Sequence, residues 1–217
     1  MMHPHTRLGF VNETIGYGVF VTNFIPKGTI IWVLDELDPK LDEAQINSLD
    51  LLLQERVRIY GFRDTIYLDS KGKYLLCWDI GQFVNHSSQP TCLPTPYEFS
   101  IASRDIYAGE ELTDDYRWYN IDHAFDYLLE DGTARRVKAD DLFDCYKILE
   151  SQAEEAMRCI NKVEQPLRSL LKKKYLDKIE AIAEGKEPMD SLLRCYYENS
   201  RKEIFKTLST RSNTRNS

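Results

Sequence analysis

Gly109-Glu110-Glu111-Leu112-Thr113-Asp114-Asp115-Tyr116, with Trp118 and Tyr119 just beyond, is the stretch on which the reading of this chain turns. Taken alone it is either an acid–base pair beside an aromatic platform or an exposed turn entering a helix. Working back from it, Ala108-Gly109 makes a turn. Before that, Tyr97, Phe99 and Ile101 alternate with polar neighbours, which predicts a half-buried strand. Asn85 to Pro96 carries Asn, Ser, Thr and prolines at 90, 94 and 96, and reads as a loop.

Ahead of that loop stands Gly81-Gln82-Phe83-Val84-Asn85-His86-Ser87-Ser88. An Asn-His pair at the end of an apolar run places an amide and an imidazole at one strand end. By themselves, Asn85 reads as a turn cap and His86 as a satisfied core histidine. A Ser-His hydrolase is not supported, because His86 and Ser87 are adjacent and do not naturally face each other, and nothing follows the G-x-S-x-G pattern. Further back, Gly16-Tyr17-Gly18 lies between two predicted strands, where glycine lets backbone approach a ligand. It is not a dinucleotide fingerprint, since no helix follows and the third glycine is absent.

Around these pieces, strands are predicted at Leu8–Val11, Gly18–Val21, Thr29–Leu34, Thr65–Asp69 and Tyr74–Trp78, with a turn at Ser70-Lys71-Gly72. A helix is predicted after Asp38-Pro39, with Asp42 and Gln45 as a capping box and Ile46, Leu49, Leu53 and Val57 on one face, closed by Gly61. After residue 139 the texture turns helical. Leu142, Tyr146, Leu149, Ala153, Ala156, Ile160 and Val163 form a heptad stripe that Pro166 ends. A second helix is predicted from Leu167 to Gly185. A third follows Pro188 and carries Leu193, Tyr196, Ile204 and Leu208. The stripe serves either burial within the chain or a homodimer through the C-terminal helices.

Together and in this order, Gly16-Tyr17-Gly18, Gln82 to Thr91 and Gly109 to Tyr116 resemble the SET-domain protein lysine methyltransferases. Those proteins carry a G-x-G, then R-F-x-N-H-S-C-x-P-N, then G-E-E-L-T-x-D-Y. Ile25-Pro26-Lys27-Gly28-Thr29-Ile30 and Arg104-Asp105-Ile106-Tyr107-Ala108 extend the likeness, which spans about residues 8–119. It implies an α+β, SET-type fold of several small β-sheets with a knot-like crossing, the Asn85 segment threaded beneath the Tyr116 loop. The organisation it implies is a catalytic domain at 5–121 with a helical insert at about 41–60, a connector at 122–139, and an α-helical C-terminal region at 140–217.

The same resemblance implies S-adenosylmethionine as cofactor, held by Gly16, Tyr17, Gly18, Asn85, His86 and Trp118, with Tyr116 as the catalytic tyrosine. No metal is implied. The family's Cys after N-H-S, which commonly joins a carboxyl-terminal zinc cluster, is Ser88 here, and no cysteine cluster follows Tyr116. Trp118 and Tyr119, or the rear helices, are then expected to cover the site. Asp114 stands where the family often has Phe or Tyr, Gln82 replaces its usual Arg, and Thr91 its usual Asn.

Composition agrees with such a protein. Residues 1–139 hold 13 Lys/Arg against 21 Asp/Glu, a net of −8, whereas residues 140–217 hold 15 against 14, a net of +1. An acidic front half disfavours binding to a phosphate backbone and attracts a basic partner, such as a histone tail or another lysine-bearing basic protein. No nucleic acid or membrane partner is expected, since no apolar run approaches a span. Met1 to Asn12 has neither the basic nor the apolar region of a secretory signal, and the five scattered cysteines contain no C-x-x-C. The chain reads as soluble and intracellular, cytoplasmic or nuclear according to organism. His3 and His5 read as part of a mobile terminus. The competing reading is a catalytically lapsed SET-like module that binds basic peptides.

Overall fold

The computed structural model describes residues 1–63, 72–119, 124–128, 134–138 and 141–196. In chain order these form β1 (Thr6–Asn12), β2 (Gly16–Val21), β3 (Ile30–Val33), β4 (Lys40–Leu41), α1 (Glu43–Asn47), α2 (Leu51–Tyr60), β5 (Gly61–Arg63) and β6 (Tyr74–Leu76). Then follow β7 (Asn85–His86), β8 (Cys92–Pro94), β9 (Phe99–Ala102), β10 (Glu111–Asp114), β11 (Phe125–Leu128), β12 (Ala134–Val137), α3 (Leu142–Met157) and α4 (Lys173–Ala183). The described strands make several small sheets, in the orders β1-β2-β10-β7, β3-β9-β8, β4-β6-β5 and β11-β12. The architecture is α+β.

Turn chemistry sets the first hairpin. The Asn12 side chain accepts from the Thr14 and Ile15 amides, both at 2.9 Å, and Gly16 takes a φ of +84° that returns the chain into β2. In β3, all four residues are buried, as a continuous apolar run demands when both faces of a strand are covered. The alternation at Tyr97, Phe99 and Ile101 predicts a half-buried strand, yet all of β9 is buried because α3 packs against β8 and β9. The amino-terminal residues are also more ordered than a mobile terminus. Met2 bridges to Trp32, and the His3 amide donates to the Ile31 carbonyl at 2.8 Å. Burial pulls the His3 pKa down to about 4, with His5 adding to the effect.

The Asp42–Gln45 capping box forms, with bonds of 2.8 and 2.9 Å, but the predicted single helix is two. Asp50 accepts from the Leu52 amide and starts a second helix, so Ile46 and Val57 pack beside Tyr74 while Leu53 faces solvent. The predicted strand at Thr65–Asp69 lies outside the described residues, as does most of the turn that follows it. The 3-10 turn Leu192–Arg194 is the described part of the third predicted helix, and Ile204 and Leu208 lie beyond it.

The heptad stripe is spent within the chain. Leu142, Leu149, Ala153, Ala156 and Ile160 sit in one core with Ile30, Phe99, Ile101 and Leu112 of the sheets. Tyr146 is partly buried against it. The α-helix itself ends at Met157, earlier than Pro166 predicts, and α4 begins at Lys173 rather than Leu167. Between them Gln165 replaces regular helix with side-chain bonds: Nε2 donates to the Gly28 carbonyl at 2.7 Å and to the Ile160 carbonyl at 2.8 Å, and Oε1 accepts from the Ile30 amide at 2.8 Å. Front and rear thus share one hydrophobic core. None of the described helices is long and apolar enough to cross a membrane.

Candidate active site

Three separated stretches of sequence become neighbours in the sheet β1-β2-β10-β7. Strand β10 lies antiparallel to β2, pairing Leu112 with Val19, and parallel to β7, pairing Thr113 with Asn85 and Asp114 with His86. Gly16-Tyr17-Gly18, Asn85-His86 and the acidic stretch therefore share one sheet. The Asn85 side-chain amide closes the arrangement, donating to the Tyr17 carbonyl at 3.1 Å and to Glu111 Oε1 at 2.7 Å. Gly18 makes that closure feasible. A Cβ there would lie 2.3 Å from Glu111 Oε1, 2.8 Å from Val11 Cγ2 and 2.9 Å from Asn85 Nδ2. Gly18→Ala is expected to push Asn85 and Glu111 apart. Because the clashing atoms are side-chain ends, the thermal midpoint should move by only a few degrees while small-molecule binding at this strip, read by calorimetry, falls about tenfold or more. Unchanged binding would count against the strip as a ligand surface.

Tyr116 is fixed from three directions. Its hydroxyl donates to the Val84 carbonyl at 2.6 Å, its amide donates to His86 Nδ1 at 3.0 Å, and its ring meets Tyr119 and Phe125 edge-on, each at 5.8 Å. Burial, reinforced by nearby Asp114, pushes the Tyr116 hydroxyl above the ordinary phenol range. It is therefore a neutral hydroxyl near pH 7, suited to positioning and unsuited to acting as a phenolate base.

His86 is held neutral by the same surroundings. Burial lowers its pKa, against the opposing pull of Asp115. With Nδ1 accepting from Tyr116, the proton sits on Nε2, which is buried without a hydrogen-bond partner among the described residues. The Tyr127 ring stands nearly perpendicular to the imidazole at 4.2 Å, and Phe125 at 5.8 Å. These β11 aromatics cover His86. The alternation of Phe125-Asp126-Tyr127 was the available signal, but two aromatics in a short strand carry little weight.

The remaining expected site residue goes elsewhere. Trp118 is 1% exposed in the core, where α3 packs on the 3-10 turn Tyr116–Trp118. Two residues along that turn from Tyr116, its indole enters the core, and its cofactor role is not carried forward. Tyr17 is exposed, its ring edge-on to Phe10 at 5.9 Å, and it enters the site through its carbonyl.

The four carboxylates of the acidic stretch part company. Glu110 is paired with Arg104, and Glu111 holds Asn85. Asp115 is fully buried and grips Arg117 through Nε at 2.9 Å, with Nη2 also in contact. Asp114 shares the buried face with Leu112 and accepts from the Tyr119 hydroxyl at 2.6 Å and the Asp115 amide at 2.7 Å. Burial pushes its pKa up to about 7, overriding the lowering by those two bonds. The folded chain thus keeps a proton on Asp114 that the unfolded chain releases near 3.8, so this group's contribution to stability declines as pH rises towards 7.

Residues 16–117 match the family model of the SET domain. Over that span the chain is similar to SET domains. Two curated proteins are similar over a longer stretch. One is a bovine (Bos taurus) histone-lysine N-methyltransferase SETMAR, 27% identical over 146 residues, covering 58% of this chain and 46% of that protein. The other is the mouse (Mus musculus) histone-lysine N-methyltransferase SETMAR, 27% identical over 128 residues, covering 49% of this chain and 38% of that protein. The chain thus spans less than half the length of these relatives. Within the matched residues lie all three motifs, together with Tyr116; β11, whose aromatics cover His86, lies beyond them.

Proposed function

We propose that this chain transfers a methyl group from S-adenosylmethionine to the ε-amine of lysine in a protein, with a histone or another basic protein as substrate. The observation that carries the reading is the pairing of β10 with both β2 and β7, which assembles the SET motifs around Tyr116. Similarity to two histone-lysine N-methyltransferases and the −8 net charge of residues 1–139 support the same conclusion. A threaded crossing of the Asn85 segment beneath the Tyr116 segment belongs to this reading as well.

The residues fit the cofactor. A Cβ at Gly16 would meet nothing within 4 Å, so open space borders the glycine strip, and His86 Nε2 is a buried polar atom left unmet among the described residues. Gly16, Tyr17, Gly18, Asn85 and His86 would hold S-adenosylmethionine, which when bound supplies a methyl group activated by a sulfonium. The protein's task is then to align a neutral amine with that methyl and to exclude water. Tyr116, locked by Val84 and His86, presents a fixed dipole for orienting the amine. An entering lysine, whose ordinary pKa is about 10.4, would lose its proton more readily as the protein strips it of water.

Transfer of labelled methyl to core histones and to a mixture of lysate proteins tests this. Tyr116→Phe is expected to lower transfer on the order of 100-fold, as loss of one preorganised polar group does, while cofactor affinity stays within a few-fold. Cofactor binding without transfer to any protein would instead favour the peptide-binding module.

A further inference from the structure

We infer that Asp114 is a positioning residue for Tyr116, acting through Tyr119 as a clamp that tightens when the carboxylate is ionised. The inference rests on the methyltransferase reading for its kinetic consequence, but the clamp itself stands on geometry alone. Tyr119 Oη donates to Asp114 Oδ2 across five positions, so residues 114–119 form a side-chain-closed loop. Tyr116 lies inside that loop. Its carbonyl accepts from the Tyr119 amide at 3.2 Å, and the two rings meet edge-on at 84°. Movement of the Tyr119 ring away from Asp114 would release one of the ring contacts that hold Tyr116, the others being with His86 and Phe125.

The bond also depends on charge. A hydroxyl donating to a carboxylate is roughly twice as strong as one donating to a neutral carboxyl. Asp114 changes between these states near neutral pH because of its surroundings. Cys92 of β8 and the hydroxyls of Tyr116 and Tyr119 lie around it, and the Asp115 carboxylate follows on its own strand end. The burial that raises the Asp114 pKa is countered by the Tyr119 hydroxyl, and Asp115 is itself committed to Arg117. Protonation loosens Tyr119, and Tyr116 loses the edge-on contact on that side. Only one O–H bond forms or breaks, with the proton exchanged to water and its electron pair left on the carboxylate.

Carboxyl and ring 13C NMR of the intact chain tests the clamp without any turnover. The Asp114 carboxyl is expected to titrate near pH 7, and the Tyr116 ring signals to move with the same inflection. Tyr119→Phe should raise the Asp114 midpoint, because it removes a bond to the ionised form, and Asp114→Asn should abolish the inflection in Tyr116. Kinetics adds the functional arm. Asp114→Ala should lower kcat about tenfold with cofactor affinity within twofold, whereas Asp114→Asn, a neutral acceptor for Tyr119, should hold the rate near the wild type's low-pH level and lose its pH dependence near 7. Tyr116 signals that ignore the Asp114 titration, or an Asp114→Asn enzyme that keeps the inflection, would overturn the clamp. Absence of transfer by the wild-type chain would overturn the enzyme reading instead, leaving the NMR result to decide the clamp.

Discussion

Gly28→Ala is expected to destabilise the whole chain by about 3 to 5 kcal/mol, with backbone strain and overpacking contributing comparable shares. Gly28 has a φ of +89°, and a Cβ there would lie 2.6 Å from Cys159 Cβ and 2.9 Å from both the Ala156 carbonyl oxygen and the Cys159 carbonyl carbon. Two of those three atoms are backbone at the end of α3, so no side-chain rotation relieves the contact. The same residue's carbonyl accepts from Gln165, and that bond would be displaced together with the helix end. For a chain of this size the thermal midpoint should fall by roughly 10 °C. Gly28→Asn eases the backbone strain and keeps the collision, so it should recover only part of the loss. A midpoint within two degrees of wild type in Gly28→Ala would show that α3 does not sit on the turn before β3 in solution.

Asp115→Ala is expected to cost about 3 kcal/mol in a urea titration and to disturb the site as well as the fold. The carboxylate caps the 3-10 turn through the Arg117 amide at 3.0 Å and binds the guanidinium of the same residue. Its Oδ1 lies 3.9 Å from His86 Nδ1, the atom that accepts from Tyr116. Removal leaves a partly buried cation and an uncapped turn directly beneath the proposed catalytic tyrosine. Loss of a buried partner alone reaches 3–5 kcal/mol, and the partial exposure of Arg117 reduces that figure. Asp115→Asn keeps an acceptor for the amide and should cost about half as much. Equal melts for all three proteins would remove Asp115 from the account of how Tyr116 is held.

The parts of the fold legible in the sequence are those where one residue type answers one local demand. Gly16, the Asp42–Gln45 box and the apolar run of β3 are of this kind. Three of the motifs were legible for a different reason, as an ordered set resembling a family, and the sheet explains why the set must travel together. What stayed hidden depends on partners distant in sequence. Nothing local distinguishes Asp114 from Asp115, yet one answers to Tyr119 and the other to Arg117. Period-two alternation from the buried Leu112 would have placed Asp114 inward, although not against its hydroxyl partner. The heptad stripe foretold which residues of the rear are buried, but not that α3 stops at Met157 and that Gln165, beyond it, bonds back to the turn at Gly28. Trp118 looked like part of the site because it follows Tyr116 so closely. It sits on the 3-10 turn Tyr116–Trp118 and is buried in the core instead.

The joining of β2 to β10 and β7 also governs how the molecule comes into being. Asn85 meets the Tyr17 carbonyl across 68 positions of chain, and Asn85 meets Glu111 across 26. Contacts of such range are made late, because loop-closure entropy is spent before they return anything, and chains rich in them fold on the millisecond-to-second scale. A fragment that ends before β10 contains both Tyr17 and Asn85 but lacks the strand that pairs with β2 and β7 and brings Glu111 to Asn85. During synthesis, the stretch from the end of β2 at Val21 to the start of β10 at Glu111, about 90 residues, must emerge before the β2 edge can pair with β10. Under the proposed reading, S-adenosylmethionine affinity would then report refolding yield, since it needs β2, β7 and β10 joined.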